Sequence, residues 1–322
     1  MRIITIEDIR DIYIKSVQRG ILFISSKFNI SKKKRTKSSF NSTVINSSNW
    51  WVIPLVKKRW NYLITGNEDE TYEEYFSKKY SDKKNKKMIS IGSGVCSHEL
   101  EFARLNPNWE ITCIDFSEKL LKVAEKKAKK DGITNIIFLA EDIYKYDLPS
   151  KYYDFVLFHS SLHHFDHLEQ FLNKVYESLI FTGKLIINEY VGATRLQYNK
   201  MQLKEINKCL KLIDNRYKKI HKTNMIKKRY YGSGVLRMIM SDPSECIESE
   251  NILPVIHNRF RIVEEMGFGG NLLMPVLKDI SHNFIELDKR KLKCLEKIFD
   301  YEDKYLDRNK SDFVFGIYEK EN

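Results

Sequence analysis

Two glycines in Ile91-Gly-Ser-Gly-Val-Cys-Ser-His-Glu99 leave backbone bare where a side chain would collide with a ligand, and this turn joins an apolar run to a helical pattern. Two carboxylates sit at comparable points downstream. Asp115 closes the run Ile111 to Ile114, where an acid can accept bonds from both hydroxyls of a ribose. Asp142 follows the run Ile136 to Ala140, where it can receive an adenine amino group while Ile143 packs on the ring. These residue types suit a nucleoside-bearing ligand. After the fourth apolar run, His159, His163, His164 and His167 cluster, and Glu189 ends the fifth. An imidazole or carboxylate at that edge is a candidate general base. The competing roles are packing and helix capping for the histidines and bonding to loop backbone for Glu189. The spacing H-x3-H-H-x2-H straddles a strand end and a loop with few carboxylates nearby, so no metal site is expected.

The elements that must position these residues alternate. Met88 to Ile91, Ile111 to Ile114, Ile136 to Ala140, Phe155 to Phe158 and Lys184 to Asn188 are apolar runs of strand length. Helical patterns separate them: Ser97 to Leu105, a long one capped by Ser117 and stopping at Asp131-Gly132, and Leu168 to Leu179. Strands alternating with helices imply a parallel, doubly wound sheet with covered faces, because parallel neighbours need crossover connections. Arg261 to Met266 and Phe313 to Glu319 supply two more strand-like runs. Upstream, Ile3, Ile6, Ile9, Tyr13 and Val17 recur near a helical period and predict a short amphipathic helix whose role is not readable. Residues 25 to 49 read as a flexible connector. Trp50 to Tyr80 reads as a helical stretch rich in aromatics, including Trp50, Trp51 and Trp60, which suit a core or a cover.

A dinucleotide loop would carry a third glycine where Ser97 stands, and Glu99 would oppose a pyrophosphate at the helix start. S-adenosylmethionine has no phosphate and carries a cationic amine and a sulfonium, which tolerate nearby acid. Asp115 suits either ligand; Asp115 combined with Asp142 favours the methyl donor. The successive segments ISIGSGVCSHE, ITCIDFSEKLL, IFLAEDI, YDFVLFHSSLHH and GKLIINEY, over about 100 residues, resemble the cofactor motifs of class I S-adenosylmethionine-dependent methyltransferases in order and spacing. The segments Arg59 to Gly66, Glu189 to Gln197 and Asp242-Pro-Ser-Glu-Cys246 resemble, more loosely, a bacterial subgroup associated with saccharide or secondary-metabolite pathways. Ser93 departs from the family's usual Cys or Ala but is small.

The resemblance implies a Rossmann-like α/β fold: a mostly parallel seven-stranded sheet with an antiparallel last strand, N-terminal helices, and a helical insertion after the fifth strand. It implies S-adenosylmethionine as cofactor. Gly92, Ser93 and Gly94 would line its methionine portion, Asp115 with Phe116 the ribose, and Asp142 with Ile143 the adenine, with His159 beneath. The catalytic candidates are His163, His164 and Glu189. The domain expectation is residues 1–49 as a helix and linker, 50–86 as a helical lid or cover, and 87–322 as the methyltransferase domain. Its insertion 190–258 is expected to bind the acceptor through Tyr190, Arg195, Asp242 and Glu245. The leading acceptor is a hydroxyl of a small saccharide, glycolipid headgroup or secondary metabolite. Nitrogen or carbon methylation, and a non-catalytic cofactor-binding partner subunit, remain open.

Composition removes other classes. No apolar run approaches the roughly 20 residues of a membrane helix, and the N-terminus lacks a secretory pattern, so a cytoplasmic protein is expected. Five cysteines without a C-x-x-C pair predict free thiols. The net charge of +12 is spread along Lys-rich helix faces, and the one dense basic run, residues 31–37, lacks interleaved aromatics. Nucleic acid is therefore not the expected partner, and no Asn/Asp-Pro-Pro-Tyr/Phe signature follows the fourth strand.

Overall fold

The computed structural model describes residues 1–19, 48–82 and 84–321. Most of the expected connector, with the basic run 31–37, lies outside the described residues. The strands are β1 Lys86–Ile91, β2 Trp109–Ile114, β3 Ile136–Leu139, β4 Tyr153–His159, β5 Leu179–Tyr190, β6 Arg261–Gly269 and β7 Phe313–Glu319. The α-helices are α1 Ile6–Arg19, α2 Pro54–Thr65, α3 Tyr72–Tyr80, α4 Ser97–Leu105, α5 Glu118–Lys130, α6 Leu168–Ser178, α7 Lys200–Lys211, α8 Val235–Ser241, α9 Ile252–His257, α10 Leu273–Leu277 and α11 Lys289–Leu306.

The strands form one sheet in the order β3-β2-β1-β4-β5-β7-β6. β1 pairs in parallel with β2 and β4, β2 with β3, and β4 with β5, and the last strand runs antiparallel. The chain winds outward from β1 to β3 and then returns to place β4 on the other side of β1. That reversal opens a crevice beyond the carboxyl ends of β1 and β4. The β1 residues Met88, Ile89 and Ile91 are fully buried because both faces of the sheet are covered. One face carries Leu168, Phe171, Leu172 and Val175 of α6 with Ile252 and Ile256 of α9. Another cluster is aromatic, with Phe76, Phe102, Trp109 and Phe155 in edge-to-face or tilted contact.

The described chain divides into two compact units. The sheet unit comprises residues 61–191, 247–266 and 314–322; the helical unit comprises 1–60, 192–246 and 267–313. The helical unit is thus assembled from three stretches, and the expected insertion supplies only one of them. Its core joins Ile14, Trp50, Ile53, Val56, Ile206, Leu273, Leu295 and Ile298. Trp50 is packed edge-on against Trp60 at 4.6 Å and lies 5.2 Å from Phe313, so Trp50 is core and half-buried Trp60 packs against it, while Trp51 is exposed.

Two local expectations change in detail. The helical stretch 50–80 is interrupted: Pro54 starts α2, Gly66 at φ +80° follows it, and a capping box of Thr71 and Glu74 starts α3 afresh. Ser117 stands at the N-cap of α5, but its hydroxyl makes no cap bond; its backbone N–H instead donates to Asp115. The helix does stop where expected, with Gly132 at φ +70°.

Candidate active site

Because β1 to β5 run parallel, their carboxyl ends share one edge, and register places Ile91 beside Ile114 and Ile114 beside Leu139. The turns leaving that edge carry the predicted residues. Gly92 adopts φ +75°, and a Cβ there would lie 2.8 Å from Cβ of Ser161, so the loops after β1 and β4 touch where only glycine fits. Gly94 adopts φ +56° with no atom within 4 Å of a Cβ position, so its bare face borders open space.

Asp115 is buried at the end of β2. Its Oδ2 accepts the Gly94 N–H at 2.9 Å and its Oδ1 the Ser117 N–H at 2.7 Å. Burial raises its pKa, and those two amide bonds oppose the rise. The carboxylate therefore holds the glycine loop in place and retains lone pairs for a ligand. Phe116 follows it, half-buried. Asp142, after β3, accepts the Tyr144 N–H at 3.3 Å, and Ile143 beside it is half-buried. Glu99 does not enter the loop's mouth. It is buried, and its Oε1 accepts the Ser90 hydroxyl at 2.6 Å beneath the strand end.

His159 ends β4. Its Nδ1 lies 2.9 Å from the Tyr72 hydroxyl, and its ring stacks on His98 at 3.5 Å between centroids. Burial first, and the neighbouring His98 second, hold its pKa well below the ordinary value, so it is neutral. His98 Nδ1 in turn bonds the buried carboxylate of Glu73. Sequence reasoning missed Tyr72, Glu73 and His98 as neighbours of His159. The Thr71-x-x-Glu74 capping box was the available signal for the helix that carries two of them, but nothing local says which face it presents.

Beyond β4 the backbone turns sharply, with Ser160 in the left-handed region at φ +48°. Glu189, fully buried at the end of β5, holds the loop that follows. Its Oε1 accepts the Ser161 and Leu162 N–H groups, the latter at 2.6 Å, and its Oε2 lies 2.7 Å from Nδ1 of His163. Nδ1 of His163 is thus the ring nitrogen placed against the carboxylate of Glu189. The ring of His164 lies 4.2 Å from that of His163, and Tyr190 lies 6.5 Å from it.

The sheet unit thus brings together Gly92 to Gly94, Asp115, His159, His163, His164, Glu189 and Tyr190. Arg195, Asp242 and Glu245 gather in the helical unit. Arg195, an expected acceptor-binding residue, donates to the carbonyls of Glu245 at 2.9 Å and Pro243 at 2.7 Å, pinning their turn. Asp242 accepts the Ser244 N–H and hydroxyl in the same turn, and Glu245 accepts from the Cys246 thiol.

The donor set fits the methyl donor. Gly92 to Glu99 contains no Lys or Arg to neutralise a phosphate, the Gly94 face is open, and buried acid lies close by, which suits a cationic ligand. Comparison with known proteins agrees. A methyltransferase-domain family model matches residues 82–251, just over half of the chain. A malonyl-[acyl-carrier protein] O-methyltransferase of Bacillus cytotoxicus is 29% identical over 117 residues, covering 36% of this chain and 40% of that protein. A demethylmenaquinone methyltransferase of Geobacillus is 22% identical over 144 residues, 44% of this chain and 62% of its own length. The chain therefore spans about two-fifths to three-fifths of these relatives. The structure of phosphoethanolamine N-methyltransferase 2 of Haemonchus contortus, with phosphomonomethylethanolamine and S-adenosylhomocysteine, superposes with a TM-score of 0.51 at 14% identity. It covers 92% of this chain and 61% of that one. With its glycine loop, strand-end acids and sheet order, the chain belongs to the class I S-adenosylmethionine-dependent methyltransferase family.

Proposed function

We propose that the protein transfers a methyl group to an oxygen of a small polar acceptor, with a hydroxyl of a saccharide or secondary metabolite as the acceptor group. The observation that carries this reading is the pair of His163 and Glu189 at the end of β5. A hydroxyl must lose its proton as it attacks, and with Nδ1 directed at Glu189 the imidazole of His163 would take that proton on Nε2. Glu189 then stabilises the imidazolium through Nδ1–H. Glu189 already accepts three N–H groups, so it acts as a positioning residue and His163 as the base. His164, against the same ring, is the alternative base.

S-adenosylmethionine, when bound, supplies a methyl group already activated on a positive sulfur, so alignment and exclusion of water provide much of the acceleration. Gly92, Ser93 and Gly94 would hold its methionine portion, Asp115 and Phe116 its ribose, and Asp142 with Ile143 its adenine. Tyr190, Arg195, Asp242 and Glu245 are the proposed acceptor-binding residues, Arg195 also holding the turn of Pro243 and Glu245. Relatives named as O-methyltransferases support oxygen as the methylated atom.

The test is methyl-donor turnover against a panel of hydroxylated, amine and carboxylate acceptors, with product mass spectrometry and single-turnover rates. His163→Ala should slow the chemical step about 10² to 10⁴-fold, less for acceptors that ionise easily, with S-adenosylhomocysteine affinity retained. Unchanged rates in both His163→Ala and His164→Ala would leave alignment alone as the mechanism. Turnover confined to amine acceptors would overturn the oxygen assignment.

A further inference from the structure

Helix α1 is built inside out. Glu7, Asp8, Asp11 and Ile14 fall on one side of it and are buried. Asp8 accepts from the Thr5 N–H at 2.6 Å, the Gly234 N–H at 2.8 Å and Nε of Arg237 at 2.9 Å. Asp11 pairs with Nζ of Lys278 at 2.7 Å and with Arg237 at 3.3 Å, and Glu7 accepts the Tyr231 N–H at 3.0 Å and bonds Arg10. Rolling the helix over would strip these buried charges of their partners, so its orientation is held by acids. The opposite side is apolar. Ile6, Ile9, Ile12, Tyr13 and Val17, with Ile3 and Ile4 ahead of them, are each between 49% and 69% exposed. Leu236, whose N–H bonds the Ile3 carbonyl at 3.1 Å, extends the patch and is 46% exposed. Scattered exposed apolar residues are ordinary, but a row of this length on one helix face marks an interaction surface.

The charge pattern names the occupant. Every acid of α1 is turned inward and bonded, so the outward face presents no negative charge. From residue 12 to residue 67 the sequence contains no Asp or Glu and eleven Lys or Arg, within a chain of net charge +12. An apolar helix face followed in the sequence by an acid-free cationic stretch matches a surface that is apolar below and anionic above. We propose that the outward face of α1 docks the protein on an anionic lipid bilayer, with Ile6, Ile9 and Tyr13 entering the boundary between headgroups and acyl chains. This peripheral attachment is independent of the acceptor reading.

The experiment is cosedimentation of the full chain with vesicles of phosphatidylcholine alone or containing phosphatidylglycerol. Binding is expected with the anionic vesicles, at least tenfold weaker with the neutral ones, and weaker as salt rises. Ile6→Gln combined with Ile9→Gln and Tyr13→Gln should lower vesicle binding at least tenfold while thermal unfolding and S-adenosylhomocysteine binding stay as in the parent. Three results would overturn the proposal: no vesicle binding by the parent, equal binding by the variant, or a parent dimer that the substitutions dissolve, which would assign the face to a second copy.

Discussion

Asp115 and Glu189 in the sheet unit are buried at strand ends and spend their oxygens mainly on backbone N–H groups of loops at the same sheet edge. Asp11 in the helical unit is buried on a helix and is answered by the side chains of Arg237 and Lys278, while Asp8 beside it divides its oxygens between Arg237 and the N–H groups of Thr5 and Gly234. The first arrangement shapes the loops of that edge. The second uses up the charge and orients an element. Burial of an acid therefore does not by itself mark a functional site; the kind of partner does.

The largest effect should come from breaking the second arrangement. Asp11 is held well below the usual carboxylate range by Lys278, Arg237 and Lys15 against the opposing effect of burial, and Lys278 is raised in return. Asp11→Asn leaves half-buried Lys278 without its ion-pair partner and Arg237 with Asp8 alone, and should cost about 3 kcal/mol in urea unfolding. A loss below about 1 kcal/mol would mean that α1 is held by its other contacts. Next in size, Asp115→Ala removes the acceptor for two amides and the proposed partner of the ribose. It should weaken S-adenosylhomocysteine binding about 100-fold by calorimetry, with a smaller loss of stability than Asp11→Asn. Stabilisation by NAD in place of S-adenosylhomocysteine would contradict the cofactor assignment.

The smallest effect is one of pH. His159 has its pKa depressed below 6.5 in the folded chain, so as pH falls through about 6.5 the unfolded chain takes up a proton that the native state refuses. Stability should therefore decline on acidification across that range. His159→Gln, which cannot be protonated, should flatten the decline; an unaltered slope would place the responsible titration elsewhere.

Much of the sheet unit was legible because its signals are local. Gly92 and Gly94 interrupt an apolar run, Asp115 and Asp142 follow one, and Gly132 closes a helix, each within a few residues of what it governs. The helical period of residues 3 to 17 was legible in the same way. Which side of that helix would be buried was not, because periodicity reports that two faces differ and is silent about which has partners. The acids of α1 find theirs 229 and 267 residues away, at Arg237 and Lys278.

The sequence by itself determined the order of strands and helices, the glycine loop and the strand-end acids, since turn chemistry and hydrophobic period act between near neighbours. Tertiary structure alone decided that Glu189 holds His163, that Tyr72 and His98 flank His159, that Arg195 faces carbonyls, and that α1 turns its isoleucines outward. Each depends on hydrogen-bonding groups brought together from distant parts of the chain, and buried polar groups adopt whichever orientation the fold can satisfy.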